Sequence, residues 1–209
     1  MRRYELIVAL VLAAGLSRRF PGNKLLFMWE DKPIIRWTVE NILNSKNVDK
    51  TVVVLGHDEE RIRNVLKDLV GDIEFVYNTN YLEGMSSSVK AGIRHVYNKY
   101  KDSIEAIIIA PGDTAWAPPE VYDLIVDVFR EKKPKIVVAA YNSRRGHPIL
   151  FNADLINELM SISEETRGLK AITKKYKYET IVVDTIYPGV ILDLDTYNDL
   201  NRVKYVLKK

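Results

Sequence analysis

The stretch Leu6-Ile7-Val8-Ala9-Leu10-Val11-Leu12, running on through Ala13-Ala14-Gly15-Leu16-Ser17-Arg18-Arg19 to Lys24, decides the fold. A short unbroken apolar run reads as a strand covered on both faces, predicted here over Glu5–Leu12. The small residues after it let backbone approach a ligand closely, and Gly15 tolerates dihedrals that other residues avoid. Successive backbone N–H groups in such a turn form an anion-binding concavity. Arg19 and Lys24 then supply counter-charge, arginine as a fork and lysine as a compact point. The loop is neither a Walker loop nor Gly-x-Gly-x-x-Gly, which removes the two commonest phosphate loops. Taken alone, the same residues also fit an ordinary strand-to-helix turn with surface charge.

Arg2-Arg3 followed by Leu6–Ala14 imitates a secretory signal. Glu5 interrupts that pattern, and a first strand feeding a phosphate loop accounts for the same residues better. No run nears the roughly 20 apolar residues of a membrane span. A soluble, cytoplasmic protein without membrane partners is expected.

Outward from this stretch, short β-branched runs alternate with longer helical ones. Strands are predicted over Thr51–Leu55, Ile73–Tyr77, Ala106–Ala110 and Ile136–Ala140, and helices over Pro33–Leu43, Glu59–Leu69, Ser87–Tyr100 and Pro119–Arg130. Val121, Leu124, Ile125 and Val128 share one helical face, and Pro118-Pro119 suits a first turn. This alternation predicts an α/β fold: three layers, a mainly parallel sheet with crossover helices on its faces. After Ala140 the rhythm changes, to short strands at His147–Phe151, Thr180–Asp184 and Gly189–Leu192, and helices at Ala153–Met160, Leu169–Tyr176 and Thr196–Leu207.

The chain has 209 residues, 47% hydrophobic and 28% charged, which suits one ordinary globular domain. With no linker or repeat, a single domain over 1–209 is expected. The net charge of +3 is too mild to imply a nucleic-acid partner. With no cysteine there is no disulfide, thiolate metal site or cysteine nucleophile.

Sites in open α/β sheets lie beyond the carboxyl ends of the strands, and four motifs fall there. The loop above is one. Gly112-Asp113 is another: a carboxylate delivered by a rigid strand is placed to hold Mg²⁺, although turn or cap aspartates are commoner for an isolated pair. In Asp193-Leu194-Asp195-Thr196, two carboxylates one residue apart point the same way from extended backbone. One of them can join Asp113 at a metal, while Asp195 or Thr196 caps the last helix. Finally, Glu83-Gly84-Met85-Ser86-Ser87-Ser88 opens a helix whose hydroxyls can cap it or meet a nucleotide, and Arg145-Gly146-His147-Pro148 presents a histidine.

In combination these motifs resemble the molybdopterin nucleotidyltransferase family, in its molybdenum cofactor cytidylyltransferase-like branch (an NTP transferase domain). The resemblance covers nearly the full length and rests on LAAGLSRRFPGNK, EGMSSSVKAGI, PGDTAW, RGHPILF and ILDLDTYNDL, in that order. It implies a nucleotide-diphospho-sugar transferase-like fold with a mainly parallel (mixed) sheet, a Rossmann-like nucleotide half at about 1–114 and an acceptor half at about 115–209. It also implies Mg²⁺-dependent transfer of CMP from CTP to phosphorylated molybdopterin, with release of pyrophosphate. It implies Arg19, Lys24 and Asp113 as catalytic residues. Leu12, Ala13, Ala14, Gly15, Ser17, Arg19, Lys24, Ser86, Ser88 and Asp113 are implied at the nucleotide. Asp113 and Asp195 are implied at the metal, and His147 and Trp116 at the pterin-type acceptor, with Trp116 either stacking on the pterin ring or, at least as often for such a tryptophan, packing beside the loop. A molybdoenzyme or its chaperone is the implied receiver of the product.

Ala14 matches the cytidylyl branch, since the guanylyl branch usually has a second glycine there. The sequence departs from the family at Pro21, where glycine is usual, at Thr114-Ala115-Trp116, and at Arg167-Gly168-Leu169-Lys170. The rival readings are a nucleotidyltransferase for a sugar phosphate or other phosphorylated small molecule, and a non-catalytic nucleotide- or cofactor-carrying module. A glycosyltransferase using Asp193-Leu194-Asp195 is disfavoured because that motif should lie mid-chain. A dinucleotide-dependent oxidoreductase lacks its fingerprint.

Overall fold

The computed structural model describes residues 5–207, so Arg2-Arg3 lie outside the described residues. Nine strands and seven α-helices follow one another as β1 (Leu6–Ala13), β2 (Met28–Trp29), β3 (Lys32–Pro33), α1 (Ile34–Leu43), β4 (Lys50–Leu55), α2 (Glu59–Val65), β5 (Ile73–Tyr77), α3 (Met85–Tyr100), β6 (Ile104–Pro111), α4 (Pro119–Lys132), β7 (Ile136–Tyr141), β8 (Arg144–Asn152), α5 (Ile156–Ser161), α6 (Leu169–Lys175), β9 (Thr180–Asp184) and α7 (Asp199–Leu207).

Seven strands form one sheet in the order β5-β4-β1-β6-β8-β7-β9. Every pairing is parallel except the two made by β8, which is antiparallel to both β6 and β7. The mainly parallel sheet expected from the alternation is therefore observed, mixed as the resemblance implies.

The period of two along each strand builds two cores. Ile7, Ala9, Val11 and Ala13 point to one face, with Val53, Leu55, Ala106, Ile108 and the inner sides of α1 and α4. Val8 and Leu10 point to the other, with Val52, Ile107, Ile109 and the inner sides of α3, α5 and α6. Because β1 is central, its residues from Ile7 to Val11 are fully buried, which is why no polar residue interrupts them.

Four elements differ from the sequence expectation. The strand expected at His147–Phe151 is longer and forms a hairpin with β7. Asn142 (φ 49°) and Ser143 (φ 61°) make its two-residue turn, the geometry that suits strand twist. Gly189–Leu192 is not a strand: Pro188–Ile191 forms a 3-10 turn wedged between other backbone segments. The last helix begins at Asp199 rather than Thr196. The small hairpin of β2 with β3 carries too few residues to show a period.

On β5, Glu74 ties the sheet to α3. It meets His95 Nε2 at 2.6 Å and Lys99 Nζ at 2.8 Å, and accepts from the Tyr100 hydroxyl. Burial alone would raise its carboxyl, but these partners outweigh it and hold the group down from 4.5 to about 2. A depressed carboxyl stabilises the fold above its unfolded value and loses that effect as pH falls through the folded one. Glu74→Gln is expected to cost about 2 kcal/mol at pH 7, with the gap to wild type closing between pH 4.5 and 2. A gap that stays constant in urea titrations across that window would refute the assignment.

Candidate active site

The chain runs from β1 outward through β4 to β5, then returns to place β6 on the other side of β1. Loops leaving β1 and β6 therefore diverge over a crevice, the position at which open sheets bind ligands. A cavity of about 370 Å³ opens there. Leu12, Ala14, Gly15, Ser17, Lys24, Ser88 and Asp113 all line it, together with Leu16, Arg18, Tyr81, Leu82, Gly84 and Met85.

The loop after β1 is held by its own side chains. Ser17, at φ 50°, accepts from Lys24 N at 3.2 Å through its hydroxyl, and its carbonyl accepts from Phe20 N at 2.8 Å. Asn23 caps the short 3-10 turn at Lys24–Leu26 by accepting from Leu25 N, and donates to Asp58 at 3.1 Å. The positive backbone angles fall on Ser17 and Gly22, not on Gly15. What Gly15 contributes is room: a Cβ there would meet nothing within 4 Å and would project into open space.

Asp113 is placed by three hydrogen bonds, to β1 and α1. Gly112 N donates to Leu12 O at 2.9 Å, Thr38 of α1 donates to Gly112 O at 2.8 Å, and Asn41 donates to Ala115 O at 2.9 Å. The buried carboxylate of Asp113 then meets Lys24 Nζ at 2.6 Å. The same ammonium lies 3.6 Å from Asp195, whose other cationic neighbour is Arg19 at 3.1 Å. Four residues from three distant stretches thus converge at one edge of the cavity.

The expected cap at Asp195 or Thr196 is not formed: the Asp199 carboxylate instead accepts from Asp195 N, Thr196 N and the Thr196 hydroxyl, tying the turn before α7. The Asp195 carboxylate is left to face the cations. Leu192 and Leu194 are buried while Asp193 is exposed and Asp195 half-buried, so the alternation survives without a strand.

Backbone contact brings this segment to the site. A Cβ on Gly189 would lie 1.7 Å from Trp116 O, and one on Gly146 would lie 1.9 Å from Val190 O. Only glycine fits at either position.

The two carboxylates meet one cation, and Mg²⁺ commonly takes one or two carboxylates with substrate phosphates and water. Among the described residues there is no cluster of three or more histidine or acidic side chains fit to hold a metal. A divalent ion at Asp113 and Asp195 would complete its shell from outside the protein.

Other expected residues fall elsewhere. Ala13 points into the core beneath β1. Ser86 is buried beside the cavity, its hydroxyl without a partner and its N–H donating to Glu164 at 2.7 Å. Trp116 is 9% exposed and packs edge-on against Trp29 at 5.4 Å, so the expected stacking platform is core packing instead. His147 lines a second cavity, of about 300 Å³, with its Nδ1 buried and unpartnered. Burial pushes its pKa down, against the pull of Asp193 and Asp113.

Sequence reading missed Asn78. It is buried at the end of β5 and donates to the hydroxyls of Ser87 and Ser88, at 2.9 and 3.0 Å. An asparagine just past an apolar strand was the available signal.

Residues 9–181 match the MobA-like NTP transferase domain. The chain belongs to that family. It is 31% identical over 144 residues to a probable molybdenum cofactor guanylyltransferase of Thermococcus kodakarensis, covering 68% of this chain and 64% of that one. It is 23% identical over 202 residues to the molybdenum cofactor cytidylyltransferase of Escherichia coli, covering 95% of each. Its fold matches a nucleotidyl transferase from Methanothermobacter thermautotroptrophicus at a TM-score of 0.79 and 22% identity, over 97% of this chain and 98% of that one. This MobA-like chain therefore carries the nucleotide-diphospho-sugar transferase type of fold, and no helix among its described residues is long and apolar enough to cross a membrane.

The two kinds of glycine separate in experiment. Gly189→Ala is expected to lose about 3 kcal/mol in urea unfolding through overpacking. Gly15→Ala is expected to keep wild-type stability but weaken nucleotide binding at least fivefold. Equal nucleotide affinity in Gly15→Ala would show that the open space there is not used by a ligand.

Proposed function

We propose that this protein transfers CMP from CTP to a phosphorylated pterin-type acceptor with Mg²⁺, releasing pyrophosphate. The observation that carries the reading is the convergence of Asp113 and Asp195 on the Lys24 ammonium beside the Gly15 loop. Two acidic groups and two cations at the mouth of a crevice suit a polyphosphate and its counter-ion. A carrier that only holds its ligand has no need of that arrangement.

Lys24 lines the nucleotide cavity and, with Arg19, neutralises the triphosphate and the departing pyrophosphate. An oxygen of the acceptor phosphate forms a bond to the α-phosphorus, while the bond from that phosphorus to the bridging oxygen breaks. Pyrophosphate leaves with the electron pair. The attacking phosphate is already anionic near neutral pH, so no strong general base is needed. Asp113 and Asp195 would hold Mg²⁺, which when bound offsets charge on the phosphates. Positioning and charge neutralisation supply most of the acceleration. The neutral His147 lies on the acceptor side.

Relatives named for both guanylyl and cytidylyl transfer match this chain, so the base choice rests on Ala14, which lines the cavity where the guanylyl branch usually has glycine. A receiving molybdoenzyme or its chaperone, and a cytoplasmic setting, belong to the same reading.

Asp113→Ala is expected to lower turnover at least about 10²-fold with the fold intact by circular dichroism; near-normal pyrophosphate release would reject the metal assignment. Calorimetry with Mg²⁺ is expected to show CTP binding at least tenfold tighter than GTP or ATP. Preference for GTP would transfer the reading to guanylyl transfer.

A further inference from the structure

A second group of cations remains without a partner. On the sheet face covered by α3, α5 and α6, some charges are paired: Lys135 meets Asp154 at 2.9 Å and Lys175 meets Glu158 at 3.0 Å. Among the described residues, Arg145, Arg167 and Lys170 make no side-chain hydrogen bond or ion pair. They come from β8, the turn before α6, and α6 itself, yet they surround one space. Arg145 and Lys170 line the cavity beside His147, while Arg167 and Lys170 line an adjoining cavity of about 590 Å³. His147, Ile149, Lys170 and Thr173 line both, so the two form one groove with Lys170 at the seam.

The rest of that groove is largely apolar, with Val138 and Val190 among its walls. The buried Nδ1 of His147 is unsatisfied there, at a site where a buried polar group normally has a partner. Arg144 lines the same cavity, also without an ion pair among the described residues, so four cations face two carboxylates, Asp193 and Glu164, the second already bound to Ser86 N. That excess of positive charge suits an anionic group.

We infer that Arg145, Lys170 and Arg167 bind the phosphate of the acceptor. This rests on the acceptor reading proposed above. Met85 lines both the nucleotide cavity and this groove, so the two spaces adjoin. The acceptor phosphate is thereby held beside the nucleotide.

The test uses the full chain with Mg²⁺ and saturating α,β-methylene CTP (or its guanine counterpart, whichever binds) filling the nucleotide cavity. Inorganic phosphate is then titrated as the probe and followed by ³¹P NMR. Arg145→Ala and Lys170→Ala are each expected to weaken phosphate binding at least fivefold. Lys170→Arg should restore it within twofold, and Lys174→Ala, on the same helix outside the groove, should change nothing. Nucleotide affinity should stay within twofold throughout. Wild-type phosphate affinity in both alanine variants, no phosphate binding by the wild type, or an equal loss in Lys174→Ala would each overturn the inference. With molybdopterin as acceptor, the same two alanine variants should raise its KM at least tenfold and leave the nucleotide KM unchanged. If molybdopterin is not turned over while the phosphate result holds, the proposed acceptor is wrong and the anion site stands.

Discussion

Lys24 between Asp113 and Asp195 is the contact on which the geometry of the crevice depends. Two carboxylates drawn toward one point repel each other unless a cation stands between them. In this structure the ammonium fills that role, and it belongs to the loop that must also receive polyphosphate. Loop, turn after β6 and closing segment are thereby coupled by charge: whatever draws Lys24 away leaves Asp113 without its cation, while Asp195 keeps Arg19. In the proposed function, a divalent ion arriving with its nucleotide would take the place of Lys24.

The supports of this contact are neutral and rigid. Thr38 and Asn41 of α1 hold the turn after β6 from below, and Gly112 N is tied to the end of β1. On the opposite side, Gly146, Val190, Gly189 and Trp116 stack backbone against backbone with no room for a methyl group. Trp116 belongs to this support. Its ring is wedged against Trp29, and its carbonyl is where the segment carrying Asp195 docks. A residue that looked like a platform for substrate instead sets where a carboxylate stands.

The antiparallel β8 gives the molecule its second working surface. Because β8 runs against β6 and β7, it begins at the edge where its neighbours end. Arg145 and His147 are therefore delivered to the same rim as the loops after β1 and β6. The chain thus sets an apolar, cation-rimmed groove next to the nucleotide crevice within one continuous sheet.

Apart from the β2–β3 hairpin, the order of strands and helices through β7, the burial of β1 and the candidate residues of the loop were readable in the sequence, because local period and small-residue turns are encoded over a few neighbouring positions. The same holds for Asp113 as a carboxylate at a strand end. Which side chains meet was not readable there. The Asp199 carboxylate ties the turn beside Asp195, and Gly189 lies so close to the Trp116 backbone that no side chain fits there. Ser17 braces the loop, and Asn78 orients Ser87 and Ser88 across a gap of nine or ten residues. Pairings of this kind depend on distances between segments far apart in the chain, and only packing in three dimensions sets those distances.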